Sequence, residues 1–200
     1  MSSKYLKLLV EEIHSTTVAT IGSDGHPQTR IIDMMHYDKD GVYFLTAKGK
    51  AFFDQLMEQR YVAISATKDK IAVSLHGKIK NIGKKNLDIM FEKNPYMKEI
   101  YPGDTRDALD VFQLYEAQGE YFDISNPSKI VRDTILIGNA EIIKTGYFVG
   151  EGCIGCKQCG AVCPQKCIDF SEKVAVIDQN HCLHCGRCVG VCPEQMIIRL

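Results

Sequence analysis

Eight of the nine cysteines fall into two copies of one run. Cys153, Cys156, Cys159 and Cys163 are followed by Pro164, and Cys182, Cys185, Cys188 and Cys192 by Pro193. Each copy reads C-x2-C-x2-C-x3-C-P. Matching members lie 29 positions apart, as do Ile154 and Leu183, Val162 and Val191, and Ile168 and Ile197. An internal duplication of this kind implies two similar half-units related by a pseudo-two-fold axis. Three closely spaced thiolates wrap one iron–sulfur cubane, while a fourth, pinned by proline, points away from it. The expectation is a chain that handles electrons.

Two rival uses of the cysteines are weaker. A tetrahedral zinc ion is bound by two C-x2-C pairs, not by three cysteines and a fourth before proline. A disulfide framework needs an oxidising compartment. The early residues read as no signal peptide, because Glu11 and Glu12 interrupt their apolar run. The expected location is cytoplasmic. The ninth cysteine, Cys167, aligns with Met196 across the repeat and reads as a small buried hydrophobe, with a spare ligand or redox thiol as the alternative.

The run is similar to that of bacterial two-cluster ferredoxins, in which the fourth cysteine ligates the other cluster. On that resemblance Cys153, Cys156, Cys159 and Cys192 hold one [4Fe-4S] cluster. Cys182, Cys185, Cys188 and Cys163 hold the second. The expected domain, 146–200, is a small α+β unit. Lys157, Lys166, His184 and Arg187 lie in or beside the cysteine loops, where they bias cluster potential or simply keep a small domain soluble.

Residues 1–145 contain no cysteine and must fold by burial alone. A net charge of −1 gives no basic excess for nucleic acid, and no apolar run has membrane-spanning length. Ser2–Ser3 reads as the cap of a helix over Lys4–Ile13. Strands are expected at Thr16–Gly22, Pro27–Tyr37, Val42–Thr46, Tyr61–Thr67, Lys70–Ile82, Val111–Tyr115, Glu120–Ile124 and Thr134–Ile143. Helices are expected at Lys50–Gln59, burying Phe52, Phe53, Leu56 and Met57, and near Lys84–Glu92. Asn94–Arg106 reads as a loop or broken helix. Tight turns imply antiparallel pairing, and many such strands favour a closed or nearly closed barrel.

The chemistry of this half concentrates at Thr46-Ala47-Lys48-Gly49-Lys50, a strand-to-helix corner. A helix start offers unpaired N–H groups and a positive dipole end, and glycine with two lysines suits a phosphate. Arg30 lies in the strand before. Strict alternation places it on one face with Gln28, Ile32, Met34 and His36, and Ile31, Asp33 and Tyr37 on the other.

These stretches, His26–Ile32 and Val42–Lys50, resemble those of the pyridoxamine 5′-phosphate oxidase-like FMN-binding split barrels. The resemblance covers roughly residues 1–145. It implies an α+β fold, a mainly antiparallel split barrel with flanking helices. It also implies FMN at Arg30, Ile31, Ile32, Thr46 and Lys50, with Lys48 beside them, and a homodimer with flavin at the interface. The oxidase activity itself is not carried over, because its substrate-phosphate residues are missing after Val111.

FMN accepts one or two electrons and a cubane passes one, which gives a physical reason for the fusion. The expected function is an oxidoreductase passing electrons between a partner protein, two clusters, FMN and a small substrate. The alternative is a non-catalytic electron-transfer or redox-sensing protein whose barrel serves dimerisation. No catalytic residue is assigned. His36 and His76 are candidate proton donors that read more simply as structural histidines, and Tyr96 and Tyr101 lie in a structural loop.

Overall fold

A computed structural model describes residues 3–200; Ser2, and with it the proposed cap, lies outside the described residues. The chain divides into two compact units. One runs to Tyr121 and includes Thr134–Glu141; the other comprises Phe122–Asp133 and Ile142–Leu200.

The first unit opens with helix α1 (Ser3–Lys7), which widens into one π-helical segment (Leu8–Ile13) and ends at His14. Strands β1 (Ser15–Ile21) and β2 (Pro27–Asp33) form a hairpin, followed by β3 (His36–Asp38) and β4 (Gly41–Ala47). Helix α2 (Ala51–Gln59), β5 (Tyr61–Lys68) and β6 (Ile71–Asn81) come next. Two short helices, α3 (Leu87–Lys93) and α4 (Met97–Ile100), precede β7 (Leu109–Asp123) and β8 (Val131–Ile137). The strand order is β2-β1-β5-β6-β7-β4-β3, with β8 paired to β7.

The two edges of this sheet, β2 and β3, are consecutive in sequence. The chain passes between them over Met34 and Met35, whose N–H groups bond His14 and Tyr43 carbonyls at 2.8 and 2.9 Å. The split in the barrel is thus bridged by the chain itself. Both methionines are buried, Met34 in the barrel core and Met35 in a second core. The hand-off also resets the alternation: Tyr37 packs on the barrel core with Ile32 and Met34, while the His36 ring lies 5.2 Å from that of Tyr43, a residue of the second core, at a tilt of 34°. The single strand expected over Pro27–Tyr37, and its face assignment for Tyr37, are corrected accordingly.

Burial explains the strand patterns. β5 has one covered face and alternates cleanly, whereas β4 is buried along nearly its whole length. Val42 and Phe44 of β4 enter the barrel core with Val18, Ile64, Leu75 and Phe112, and Tyr43 enters the second core with Met90 and Phe91 of α3. Three expectations need correction. Met57 of α2 is 44% exposed, because the helix buries a narrower stripe of Phe52 and Leu56. The strands expected at Val111–Tyr115 and Glu120–Ile124 are one strand, β7. The last expected strand ends at Ile137, leaving Ile142 and Ile143 exposed in irregular chain.

In the second unit β9 (Tyr147–Val149) pairs with β12 (Ile197–Arg199), and β10 (Ile168–Asp169) with β11 (Val176–Ile177). Helices α5 (Gln158–Val162) and α6 (Arg187–Gly190) occupy equivalent places in the two halves. The duplication is visible in the backbone. Gly155 and His184, Lys157 and Gly186, and Lys166 and Gln195 all have positive φ, each pair 29 positions apart. No helix among the described residues is long and apolar enough to cross a membrane.

Candidate functional site

The β4–α2 corner is built on a cross-strand pair. Thr46 of β4 lies opposite Asp110 of β7, and both are buried, at 2% and 6% exposure. The Thr46 hydroxyl is buried with no hydrogen-bond partner among the described residues. A buried hydroxyl left in that state costs free energy, so the position suits a ligand that completes it. Asp110 accepts from Asn81 at 3.0 Å and faces the Lys48 and Lys84 ammonium groups at 3.4 and 3.7 Å. Burial pushes the Asp110 carboxyl up, but the hydrogen bonds from Asn81 and Lys48 and the charges of Lys48 and Lys84 outweigh it and hold the group below its ordinary value. Lys48 is therefore engaged with Asp110, whereas Lys50 caps α2 in an extended conformation and is exposed. A side chain at Gly49 would meet open space.

Arg30 approaches the same helix from β2. Its guanidinium donates to Thr20 Oγ1 at 2.5 Å and Gln55 Oε1 at 3.0 Å, and lies 4.3 Å over the Phe52 ring. Ile31 points outward, 65% exposed. Ile32 packs on the barrel core, and its carbonyl accepts from Thr16 at 3.0 Å. The structure thus sets Arg30 against Phe52 and Gln55 of the helix that Lys50 begins, and Thr46 and Lys48 against Asp110 on the β7 side. Thr20, Gln55 and Asp110 were not legible as site residues. Asp110 carried a usable signal, an acid alternating with apolar neighbours at Leu109 and Val111, but it lay before the expected strand start.

The candidate proton donors have ordinary partners. His76 Nδ1 contacts the Tyr61 hydroxyl at 2.6 Å, and His36 Nδ1 contacts Lys93 Nζ at 3.1 Å. Burial, then the Lys93 charge, pushes His36 down. Tyr101 packs on the second core, while Tyr96 donates to Asp33 at 2.7 Å.

In the second unit the eight cysteines sort into two hollows. Cys153, Cys156, Cys159 and Cys192 line one, with Ile154, Lys157, Phe170 and Pro193. Cys163, Cys182, Cys185 and Cys188 line the other, with Leu183, Gly186 and Pro164 at the places matching Ile154, Lys157 and Pro193, and with Arg187 beside them. Each hollow takes three cysteines from one run and the fourth from the other. Among the described residues no three His, Cys, Asp or Glu side chains converge tightly enough for one metal ion. The thiols instead surround hollows, a spacing suited to a multi-iron cluster. Backbone N–H groups of His184 and Met196 point at Cys182 and Cys192 sulfurs, each at 3.4 Å. Cys167 is buried on the wall of the second hollow, 3.6 Å from Cys163 sulfur. Burial, then Cys163, pushes its thiol up. Lys166 is exposed in a left-handed conformation and lines neither hollow.

Residues 3–122 match the family described as pyridoxamine 5′-phosphate oxidase, and residues 152–196 match a 4Fe-4S dicluster domain. No curated protein matches the chain. Among solved structures, a NimC/NimA family protein from Clostridium acetobutylicum is similar over 68% of this chain and 93% of its own, with 19% identity and a TM-score of 0.56. A protein from the same organism, related to general stress protein 26 of B. subtilis and of the pyridoxinephosphate oxidase family, matches 68% of this chain and 97% of its own at 18% identity and a TM-score of 0.53. PhzG from Burkholderia lata, solved with tetrahydrophenazine-1-carboxylic acid, matches 68% and 89% at 13% identity and a TM-score of 0.50. At these identities the likeness is one of fold.

Proposed function

The chain belongs to the pyridoxamine 5′-phosphate oxidase family and joins that flavin-binding fold to a 4Fe-4S dicluster domain, which makes it a redox protein; from that premise we propose an oxidoreductase that exchanges electrons between a partner protein and a small substrate. In this reading residues 1–145 bind FMN and residues 146–200 carry two [4Fe-4S] clusters. When bound, these groups let single electrons be gathered into a two-electron change.

The observation that supports the reading most is the sorting of the thiols: two hollows, each lined by three cysteines of one run and the fourth of the other. Cys153, Cys156, Cys159 and Cys192 would hold one cluster, and Cys182, Cys185, Cys188 and Cys163 the second. Cys167 stays a wall residue. In the barrel, Lys50 at the start of α2 would receive the phosphate, with Gly49 allowing close approach. The partnerless Thr46 hydroxyl would gain a hydrogen bond from the ligand, and the exposed Ile31 would be covered by flavin or a second copy. Lys48 would act by fixing the corner through Asp110, and Arg30 by bracing β2 to α2.

An anaerobic count of iron, sulfide and flavin tests the whole reading. About eight iron, eight sulfide and one FMN per chain are expected. Iron without flavin after reconstitution would remove the flavin half. The crossed ligand sets predict that Cys192→Ser damages the cluster of Cys153, Cys156 and Cys159 and leaves the other intact in electron paramagnetic resonance. Loss of the other signal instead would reverse the assignment.

A further inference from the structure

The unit built around the barrel holds a second polar constellation that neither the phosphate corner nor the clusters use. It begins where α1 widens. The π-helical turn Leu8–Ile13 ends at His14, whose φ of 69° and ψ of −64° fall in the γ-turn region that a side-chain-bearing residue rarely adopts. Single π turns and residues held in sparsely populated backbone regions both concentrate at functional sites. Here the two coincide.

The strained histidine is held from three sides. Its Nδ1 meets the Val10 carbonyl at 3.2 Å, and its Nε2 lies 3.1 Å from the Tyr96 hydroxyl and 3.5 Å from Asp33 Oδ2. Asp33 also accepts from Tyr96 at 2.7 Å and from Ser15 at 2.6 Å. Beside this network is a cavity of about 410 Å³, within the range of small-molecule sites, lined by Val10, Glu11, His14, Met35, Tyr37, Lys93 and Asn94. Asn94 fixes the far wall, donating to the Met35 carbonyl at 3.3 Å and the Met90 carbonyl at 2.7 Å.

The charges in the cavity are unequal. Glu11 accepts from the Tyr37 hydroxyl at 3.0 Å and pairs with Lys7 at 3.8 Å, so its charge is already met. Lys93 has an imidazole contact with His36 at 3.1 Å and no carboxylate partner among the described residues. Met35 and Val10 supply an apolar floor. The network also borders the strand assigned to flavin: Asp33, which holds His14 of the cavity wall, ends β2 directly after Ile32.

We propose that this cavity is the substrate pocket of the barrel and that it takes a small organic anion, a carboxylate with a compact apolar body. Lys93 anchors the anionic group, and His14, fixed by Asp33 and Tyr96, is the positioning residue for the reacting end. The substrate role rests on the flavin reading; the binding of an anion does not.

Benzoate is the probe, titrated into the full chain with its flavin and clusters counted beforehand. Binding is read by ligand-observed nuclear magnetic resonance and by the visible difference spectrum of any bound flavin. Saturable binding is expected, weakened about ten-fold or more by Lys93→Met, since a charge-assisted contact is lost. His14→Gln is expected to keep the flavin count while abolishing the change in the flavin spectrum at saturating benzoate. Wild-type protein that shows no saturable benzoate binding, or a Lys93→Met variant that binds it equally well, overturns the pocket. Binding detected by magnetic resonance in a chain that holds no flavin keeps the anion site and overturns its role as a substrate pocket. Wild-type protein that holds flavin and binds benzoate without changing its spectrum overturns that role as well.

Discussion

Asp110 decides how the lysines of the phosphate corner divide their work. It faces Lys48 and Lys84 and accepts from Asn81, so its carboxyl titrates below the ordinary range despite burial. A group whose folded pKa is depressed contributes stability above its unfolded value, and that contribution is lost as pH falls through the folded value. Asp110→Asn is therefore expected to cost about 1.5–3 kcal/mol at neutral pH. The gap between wild type and variant should begin to narrow below about pH 4, where the carboxylate of the unfolded chain takes up its proton, and close only as pH falls through the lower folded value. Urea unfolding of the barrel from pH 7 down to pH 3 measures it. A gap that persists unchanged at pH 3 would mean that packing, not charge, makes Asp110 matter. The same ion pair gives a physical reason for setting Lys48 behind Lys50, which the resemblance implied but the corner's residues alone did not: the two lysines look alike until the strand opposite is known.

At the scale of elements, most strands and helices could be read from alternation and turn residues, and the failures share one cause. Local signals lose wherever two segments cross closely or both faces of a strand are covered. The Gln118-Gly119 step reads as a break between two strands, yet β7 runs straight through it. Gly119 is there because a side chain would strike the Ser74 carbonyl and the Leu75 Cα of β6, and Gly77 likewise leaves room for Glu116 and Ala117. Glycine in a strand interior marks close backbone approach as well as bulges and bends. Gly119→Ala should therefore push β6 and β7 apart and destabilise the barrel by about 1–3 kcal/mol, the usual cost of overpacking. Thermal unfolding measures it, and an unchanged midpoint would mean that the crossing has slack. The Met34–Met35 hand-off was invisible for a related reason: residues 27–37 hold no glycine or turn cluster after Pro27, so nothing marks where a strand leaves one partner for another. His14 gave no signal either, because its importance lies in backbone strain and in partners nineteen to eighty-two positions away, Asp33 and Tyr96.

For the whole molecule, the two units differ in what can hold them together. The barrel core draws Leu9, Val18, Phe44, Leu75, Phe112 and Ile135 from the full length of its unit, all essentially excluded from water. The core of the second unit is different: among the described residues Cys159, Cys167, Cys182 and Cys188 cluster there with Ile177 and Ile197, and outside that cluster only Ile130 and Ala175 are buried apolar side chains of the unit. Its strands are two or three residues long. So short a sheet around thiol-lined hollows buries too little apolar surface to offset its conformational entropy. Its folding should be coupled to the clusters, as it is in small metal-dependent domains. Stripping iron anaerobically with a chelator is therefore expected to abolish amide protection over residues 146–200 while β5 and β6 stay protected. Hydrogen exchange read by mass spectrometry, before and after iron removal, measures both at once. Protection retained in the second unit without iron would mean that its small core suffices and that the cysteines serve electrons alone. Loss of protection in both units would mean that the barrel, despite its larger core, also depends on the clusters for its fold.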